Sequence, residues 1–336
     1  MAAQQQQQQQ QQDQQPILIV GAGELGTAVL EALTTHPQRD AARHPVSVML
    51  RGSTITSPDA AKQAGNERLR RLGAAELVAG DVAHDPETAL AATFARFHTV
   101  VVCAGMGLAA GTQTRIARAA LAARVPRFLP WQWGVDYDAV GAGSAQDLFD
   151  EQLAVRSLLR DPAANPATEW TIVSVGVFAS FLFLPAFGVV DLPRRVVRAL
   201  GAWDRALTLT AVRDIGRVAA EVVYVPGARG TGDDTRGRVV YAAGDTVTYA
   251  RIAELVERRF GGQGQGQGQG FSRELWTADT LRRRLERDPD DAMAKYLSVW
   301  AAGRGVAWDP AVTINRRRGL RMTDLEEYLT QMPDLS

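Results

Sequence analysis

The sequence predicts an α/β protein built on a doubly wound parallel sheet. Three observations carry that expectation. Short β-rich runs alternate with helical stretches through the first half of the chain, a G-x-G-x-x-G turn joins the first run to the first helix, and residues 170–175 form an uncharged run suited to a strand buried on both faces.

In chain order, strand one is expected at 17–20 and a helix at about 24–35. Strand two falls at 46–50, a short strand three at 76–78, and strand four at 99–103. A helix at 112–123, strand five at 127–129 and a helix at about 145–160 lead to the strand at 170–175. The second half is less regular. Helices are expected at 212–224, 249–260, about 278–287 and 291–302, with one strand at 239–241. Ser144 reads as a helix N-cap. The expected organisation is a Gln-rich disordered tail at 1–15, a first domain at 16–175 and a smaller C-terminal α/β domain at 176–336 that covers the substrate. Residues 261–270, a Gly-Gln repeat, read as a flexible surface insertion.

Composition narrows the function classes. Lys+Arg and Asp+Glu are each 37, so the formal net charge is zero, with no basic footprint for nucleic acid or a membrane surface. The single cysteine, Cys103, excludes an internal disulfide and suits a reducing, cytoplasmic setting. The four histidines show no ligand-like spacing, so no metal site is expected. The uncharged stretch 170–190 is long enough to cross a bilayer. Gly176, Pro185 and Gly188 inside it argue instead for a strand followed by a pocket wall.

Gly21-Ala22-Gly23-Glu24-Leu25-Gly26 follows a strand and opens a helix, the context in which G-x-G-x-x-G binds a dinucleotide. Gly21 permits the tight turn, Gly23 lets a pyrophosphate approach the backbone, and Gly26 lets helix and strand pack closely. The helix N-terminus offers free N–H groups to the phosphates. The first domain is therefore expected to be of Rossmann type. Strand two ends in Arg51-Gly52-Ser53-Thr54 rather than the carboxylate that binds an NAD ribose. A guanidinium and two hydroxyls suit a 2′-phosphate, so the expected cofactor is NADP(H).

At this point the chain resembles the NmrA-like and isoflavone reductase-like proteins, atypical relatives of the short-chain dehydrogenases. The resemblance spans about 16–330 and is strongest in the first 180 residues. It rests on Gly21 to Gly26, Met49 to Ser53, Gly80-Asp81, Val101-Val102-Cys103-Ala104-Gly105, and Arg127-Phe128-Leu129-Pro130-Trp131-Gln132-Trp133-Gly134-Val135-Asp136. The last corresponds to a family signature R-F-x-P-S-x-F-G-x-D. The resemblance implies an NADPH-binding domain whose cofactor contacts include Cys103, Ala104, Gly105, Pro130 and Gln132. It also implies that the loop from Pro130 to Asp136 lies beside the nicotinamide.

One departure bears on chemistry. Family reductases carry a lysine in an F-x-x-K pattern that contributes to proton transfer. Here the stretch is Phe149-Asp150-Glu151-Gln152, so an amide without a titratable proton stands at that position and can only orient a ligand. The dehydrogenase Y-x-x-x-K pair is also absent, since the only lysines are Lys62 and Lys295. Of the nearby proton donors Asp136, Tyr137 and Asp138, Tyr137 is favoured because a phenol is ordinarily protonated at neutral pH. Cys103 reads as a small core residue rather than a nucleophile. Trp131, Trp133, Phe178, Phe181, Phe183 and Phe187 suit an apolar pocket for a flat or aromatic molecule, and core packing explains them equally well. Three readings follow. One is an NADPH-dependent reductase of a small aromatic or polyketide-like molecule. Another is a non-catalytic NADP(H) sensor with a protein partner, as some members of the resembled family are. The third is a non-redox enzyme on the same scaffold.

Overall fold

The computed structural model describes residues 14–262 and 270–334. Most of the Gln-rich tail and positions 263–269 of the Gly-Gln insertion lie outside the described residues, as do 335 and 336.

All the expected elements of the first half form. They run β1 (Ile17–Val20), α1 (Glu24–Thr35), β2 (Val46–Leu50), α2 (Gly52–Ile55), α3 (Ala60–Arg71), β3 (Glu76–Ala79), α4 (Glu87–Phe94), β4 (Thr99–Val102), α5 (Thr112–Ala122), β5 (Arg127–Leu129), α6 (Tyr137–Val140), α7 (Asp147–Arg160) and β6 (Glu169–Ser174). Every residue of β1 and β4 is buried, as continuous apolar runs in a parallel sheet should be. The apolar face of α1 is Leu25, Val29, Leu30 and Leu33, a helical spacing that turns one stripe to the core. The helix stops at His36 because Pro37 follows, and His36 is extended with ψ of 134°.

Strand order is Arg238–Tyr241, β6, β5, β4, β1, β2, β3. β1 pairs in parallel with both β2 and β4, with Val20 opposite Met49 and Val102. The direction of winding reverses there, which opens a crevice beyond the carboxyl ends of β1 and β4. Its lower core holds Val20, Val100, Val102, Ile116, Phe128 and Ile172.

The chain divides into two compact units, and the division is interleaved. The first comprises residues up to 132, 154–173 and 215–240; the second comprises 133–153, 174–214 and 241 onward. A contiguous split after residue 175 was expected. Packing gives the reason for the difference. Val135, Tyr137 and Phe149 are buried in the second unit's core. The helix Val212–Tyr224 (α8) returns to the first unit, where a Cβ on Gly216 would sit 2.4 Å from the Ala28 carbonyl oxygen.

The second unit has two three-stranded sheets, in the orders 245–248, 206–210, 177–178 and 272–276, 196–200, 190–191. The helices expected near 249–260, 278–287 and 291–302 form. Most of its strands escape a sequence reading because they are short and carry charge. Arg198 lies in the buried strand 196–200, where its Nε donates to Glu274 at 2.7 Å and its Nη1 to the Gly188 carbonyl at 2.9 Å. Ser144 is no cap of α7, which begins at Asp147; its hydroxyl instead accepts from the Gln146 amide in the preceding turn at 3.4 Å. Among the described residues no helix is long and apolar enough to cross a membrane, and residues 170–174 of the suspect stretch are strand.

Candidate functional site

The glycine turn leaves β1 at the switch point. Gly21 has φ of +94°, and a Cβ there would lie 2.8 Å from Ala104 Cβ. At Gly26 a Cβ would lie 2.0 Å from the Gly21 carbonyl oxygen, so α1 approaches the turn as closely as a hydrogen atom permits. Gly23 differs: nothing lies within 4 Å of its would-be Cβ, and the residue is exposed. The turn is thus a cradle with an open mouth at Gly23. No side chain caps α1 at that end, which leaves its first amides to an anion. Glu24 is exposed in the first turn, whereas the Leu25 side chain is buried and can offer only its amide.

Beside this cradle, Arg51 ends β2 as the N-cap of the one-turn α2. It is exposed and makes no ion pair among the described residues. Ser53 is exposed and Thr54 half-buried. Asn66 of α3 pins their turn, donating to the carbonyls of Thr54 at 3.1 Å and Ile55 at 3.3 Å. The Asp81 carboxyl at the end of β3 is held below its usual range by the His84 hydrogen bond first, with Arg51 a smaller contributor. The free guanidinium therefore sits where a 2′-phosphate is recognised in such folds.

At the end of β4, Cys103 is half-buried, and desolvation pushes its thiol up, so it stays protonated and unreactive. Gln113 fixes the next residue, its Nε2 donating to the Ala104 carbonyl at 3.1 Å. Gly105 lies under the Trp131 ring: a Cβ there would come within 1.9 Å of it. Pro130 is buried beside it. The Gln132 side chain is fully buried, and its Oε1 accepts from Arg156 Nε at 2.8 Å. These residues stand at the carboxyl ends of β1, β2, β4 and β5 in the first unit.

Tyr137 and Gln152 belong to the second unit. Tyr137 begins α6 and is 4% exposed, its ring edge-on to Phe149 at 5.0 Å. Its hydroxyl lies over Gly134, 3.1 Å from where a Cβ would be. Asp136 caps α6, accepting from the Asp138 amide at 3.1 Å, and its other oxygen accepts from the Tyr241 hydroxyl at 2.8 Å. Gln152 is fully buried on α7. Of the six suggested pocket aromatics, Trp133 and Phe187 are core residues, while Phe178, Phe181, Phe183 and Trp131 are half-buried.

Sequence reasoning missed Gln113, Arg156 and Tyr241. Arg156 had a readable signal. It falls four residues after Gln152, on the same face of α7, directly after the apolar run Leu153-Ala154-Val155. Among the described residues no group of three or more His, Cys, Asp or Glu side chains is placed to hold a metal.

Known proteins resemble the chain in sequence and in fold. The chain is 48% identical over 313 residues to an NmrA-like family domain-containing oxidoreductase of Gibberella moniliformis, covering 93% of this chain and 96% of that one. It is 26% identical to phenylcoumaran benzylic ether reductase 1 of Arabidopsis thaliana, over 73% of this chain and 74% of the relative. The fold matches the binary complex of leucoanthocyanidin reductase with NADPH from Vitis vinifera, with a TM-score of 0.71 at 19% identity over 94% of this chain and 98% of that one. The NmrA-like family pattern matches residues 13–267, and the chain belongs to that family.

Proposed function

We propose that the protein is an NADPH-dependent reductase of a small aromatic or polyketide-like molecule, acting in the cytosol. The observation that carries this reading is the uncapped, open glycine cradle flanked by the free guanidinium of Arg51. The residues fit an NADP dinucleotide. The pyrophosphate would lie on the first amides of α1 at Gly23, and Arg51, Ser53 and Thr54 would hold the 2′-phosphate. Cys103, Ala104, Gly105, Pro130 and Gln132 would border the nicotinamide half. When bound, the cofactor supplies a hydride.

The chain's own part is to orient the substrate and deliver a proton. Tyr137 is the proposed donor, through its phenolic O–H. Gln152 would only orient. The names of the relatives support an aromatic substrate, since the Arabidopsis protein is named a phenylcoumaran benzylic ether reductase. In the second unit the half-buried Phe178, Phe181 and Phe183 supply flat apolar surface for such a molecule.

The test follows NADPH oxidation with a panel of aromatic ketones, enones and aldehydes. Tyr137→Phe should keep cofactor affinity and lose about 10²–10⁴ in turnover, as for a lost general acid. Gln152→Ala should be far milder. Turnover untouched in Tyr137→Phe removes Tyr137 from the mechanism. Gln152 favours a second reading, a sensor that binds NADP(H) and a protein partner without turnover. A partner whose binding follows the cofactor's redox state, with no oxidation of NADPH on any substrate, would establish it.

A further inference from the structure

The first unit carries a second recess, at the amino ends of the strands, opposite the ends that bear the glycine cradle. Ile17, Thr99, Arg127 and Glu169, which line it, are the first residues of β1, β4, β5 and β6. The cradle and the Cys103 loop leave the last residues of β1 and β4, so a full strand of roughly 3.3 Å per residue separates the two sites. The cavity has a volume of about 320 Å³, at the lower end of the usual range for small-molecule sites and far larger than one phosphate needs.

Its lining is basic. Arg43, Arg127 and Arg236 face it with His44 and His98, and Glu169 is the only carboxylate among the lining residues. The charges do not cancel. Glu169 is bound by Arg229 from outside the recess, and Arg236 by Asp234 at 2.8 Å. Among the described residues neither Arg43 nor Arg127 has a carboxylate within ion-pair distance. Arg127 donates to the carbonyls of Val223 at 2.6 Å and Val222 at 3.0 Å, so its hydrogens are partly used; burial pulls its pKa down, with Glu169 and then Asp234 opposing and Arg236 adding. Arg43 is exposed, with no ion pair or side-chain hydrogen bond among the described residues. The Asp40 carboxylate, three residues before Arg43, is committed to its own turn, accepting from the amides of Ala42 at 2.9 Å and Arg43 at 3.2 Å.

Both histidines register this field. Burial first, then Arg43, holds His44 below its usual range, with Arg39 adding a little and Asp40 opposing. Burial first, then Arg127, does the same to His98, with His44 and Arg43 adding and Glu169 opposing. Beyond the charges, the Tyr224 ring provides an apolar flank. It is fixed by His44 edge-on at 5.2 Å and by its hydroxyl, which donates to the Leu33 carbonyl at 3.1 Å. Gln15 and Gln38 add amide groups at the rim.

We propose that this recess is a ligand site for a small organic polyanion, one whose carboxylate or phosphate groups pair with Arg43 and Arg127 while its organic part lies against Tyr224. The proposal is independent of the reductase reading. An inorganic ion would leave most of the volume unfilled. A neutral aromatic would leave the guanidiniums unpaired in a recess that disfavours them.

The four histidines make the site observable. Histidine ring protons are recorded by NMR on the full-length protein saturated with NADP+, so that the glycine cradle is occupied. Assignments come from His44→Gln and His98→Gln. Citrate and adenosine monophosphate are titrated in parallel, with inorganic phosphate as the reference ion. His44 and His98 should shift together and saturate with citrate or the nucleotide. His84, exposed beside Asp81 at the carboxyl ends of the strands, should stay still. A response to citrate alone assigns carboxylates, and one to the nucleotide alone assigns phosphate with a ring. Arg43→Ser should weaken the midpoint about tenfold, the value of one charge-assisted contact, and Arg43→Glu more. The affinity should rise as pH falls, because the bound anion returns His44 and His98 toward the protonated state. Shifts that never saturate, equal movement of His84, or an unchanged midpoint in Arg43→Glu would each overturn the proposal. Phosphate binding as well as either organic anion would also overturn it, leaving an adventitious ion only.

Discussion

Gly23 and Gly26 sit three residues apart in one turn, yet their substitution by alanine should fail in opposite ways. At Gly26 the new Cβ would lie 2.0 Å from the Gly21 carbonyl oxygen, where real contacts keep beyond 3.0 Å. The obstacle is backbone held at a positive φ, so α1 itself must move off β1. Overpacking of this kind costs about 1–3 kcal/mol or more. For a unit of this size that is a fall of about 2–12 °C in Tm. At Gly23 the Cβ meets nothing within 4 Å, and φ is −71°, which alanine adopts freely. Its folding cost is an N-cap preference of under about 1 kcal/mol. The methyl instead fills the mouth through which the pyrophosphate reaches the α1 amides. Losing one or two charge-assisted contacts of about 1.5–3 kcal/mol each should weaken NADPH by at least tenfold. Thermal unfolding by circular dichroism without cofactor reads the first effect, and NADPH titration by fluorescence reads the second. A Gly23→Ala protein with wild-type Tm and wild-type affinity would refute the cradle. A Gly26→Ala protein that melts with the wild type would refute the close approach.

Three further outcomes are expected. Arg51→Ala should abolish a preference for NADPH over NADH worth about one to two decades, measured by paired titrations, while leaving Tm unchanged because the side chain is exposed and unpaired. Gln132→Leu removes the 2.8 Å acceptor of the buried Arg156 guanidinium and should destabilise by about 1.5–3 kcal/mol in urea unfolding; no change in midpoint would show that this bond is dispensable. His44 and His98 are both held below the usual histidine range by burial, so the unfolded chain binds protons first as pH falls below about 6.5. Stability should be fully present above that pH and decline beneath it, and the double variant His44→Gln/His98→Gln should flatten the decline when unfolding is measured across pH 5–7.5.

Local pattern determined the winding of the first unit. Ile17–Val20, Val46–Leu50 and Thr99–Val102 are apolar runs whose neighbours in sequence are their neighbours in the sheet or one crossover away, and Gly21, Gly23 and Gly26 are needed by a turn that spans only six residues. Such elements are set by short-range sterics and hydrophobic patterning, so they are legible without coordinates. Arg51 was legible for the same reason, as the residue that ends a strand.

Long-range contacts decided the rest. Strand 196–200 carries Arg198 in its buried face, and partners distant in sequence, above all the carboxylate of Glu274, 76 residues away, with the Gly188 carbonyl, the Asp191 carboxylate and the Trp276 ring, make that burial tolerable. Gln132 reads as a cofactor contact in sequence, but Arg156 claims its side chain through a bond across 24 residues. Tyr137 reads in sequence as the favoured proton donor, but that its ring packs edge-on against Phe149 and its hydroxyl lies over Gly134 is set by tertiary packing. The basic recess draws Arg43, His98, Arg127 and Arg236 from four separate segments. Charge pairing and burial depend on which side chains meet in space, and no periodicity along the chain encodes that.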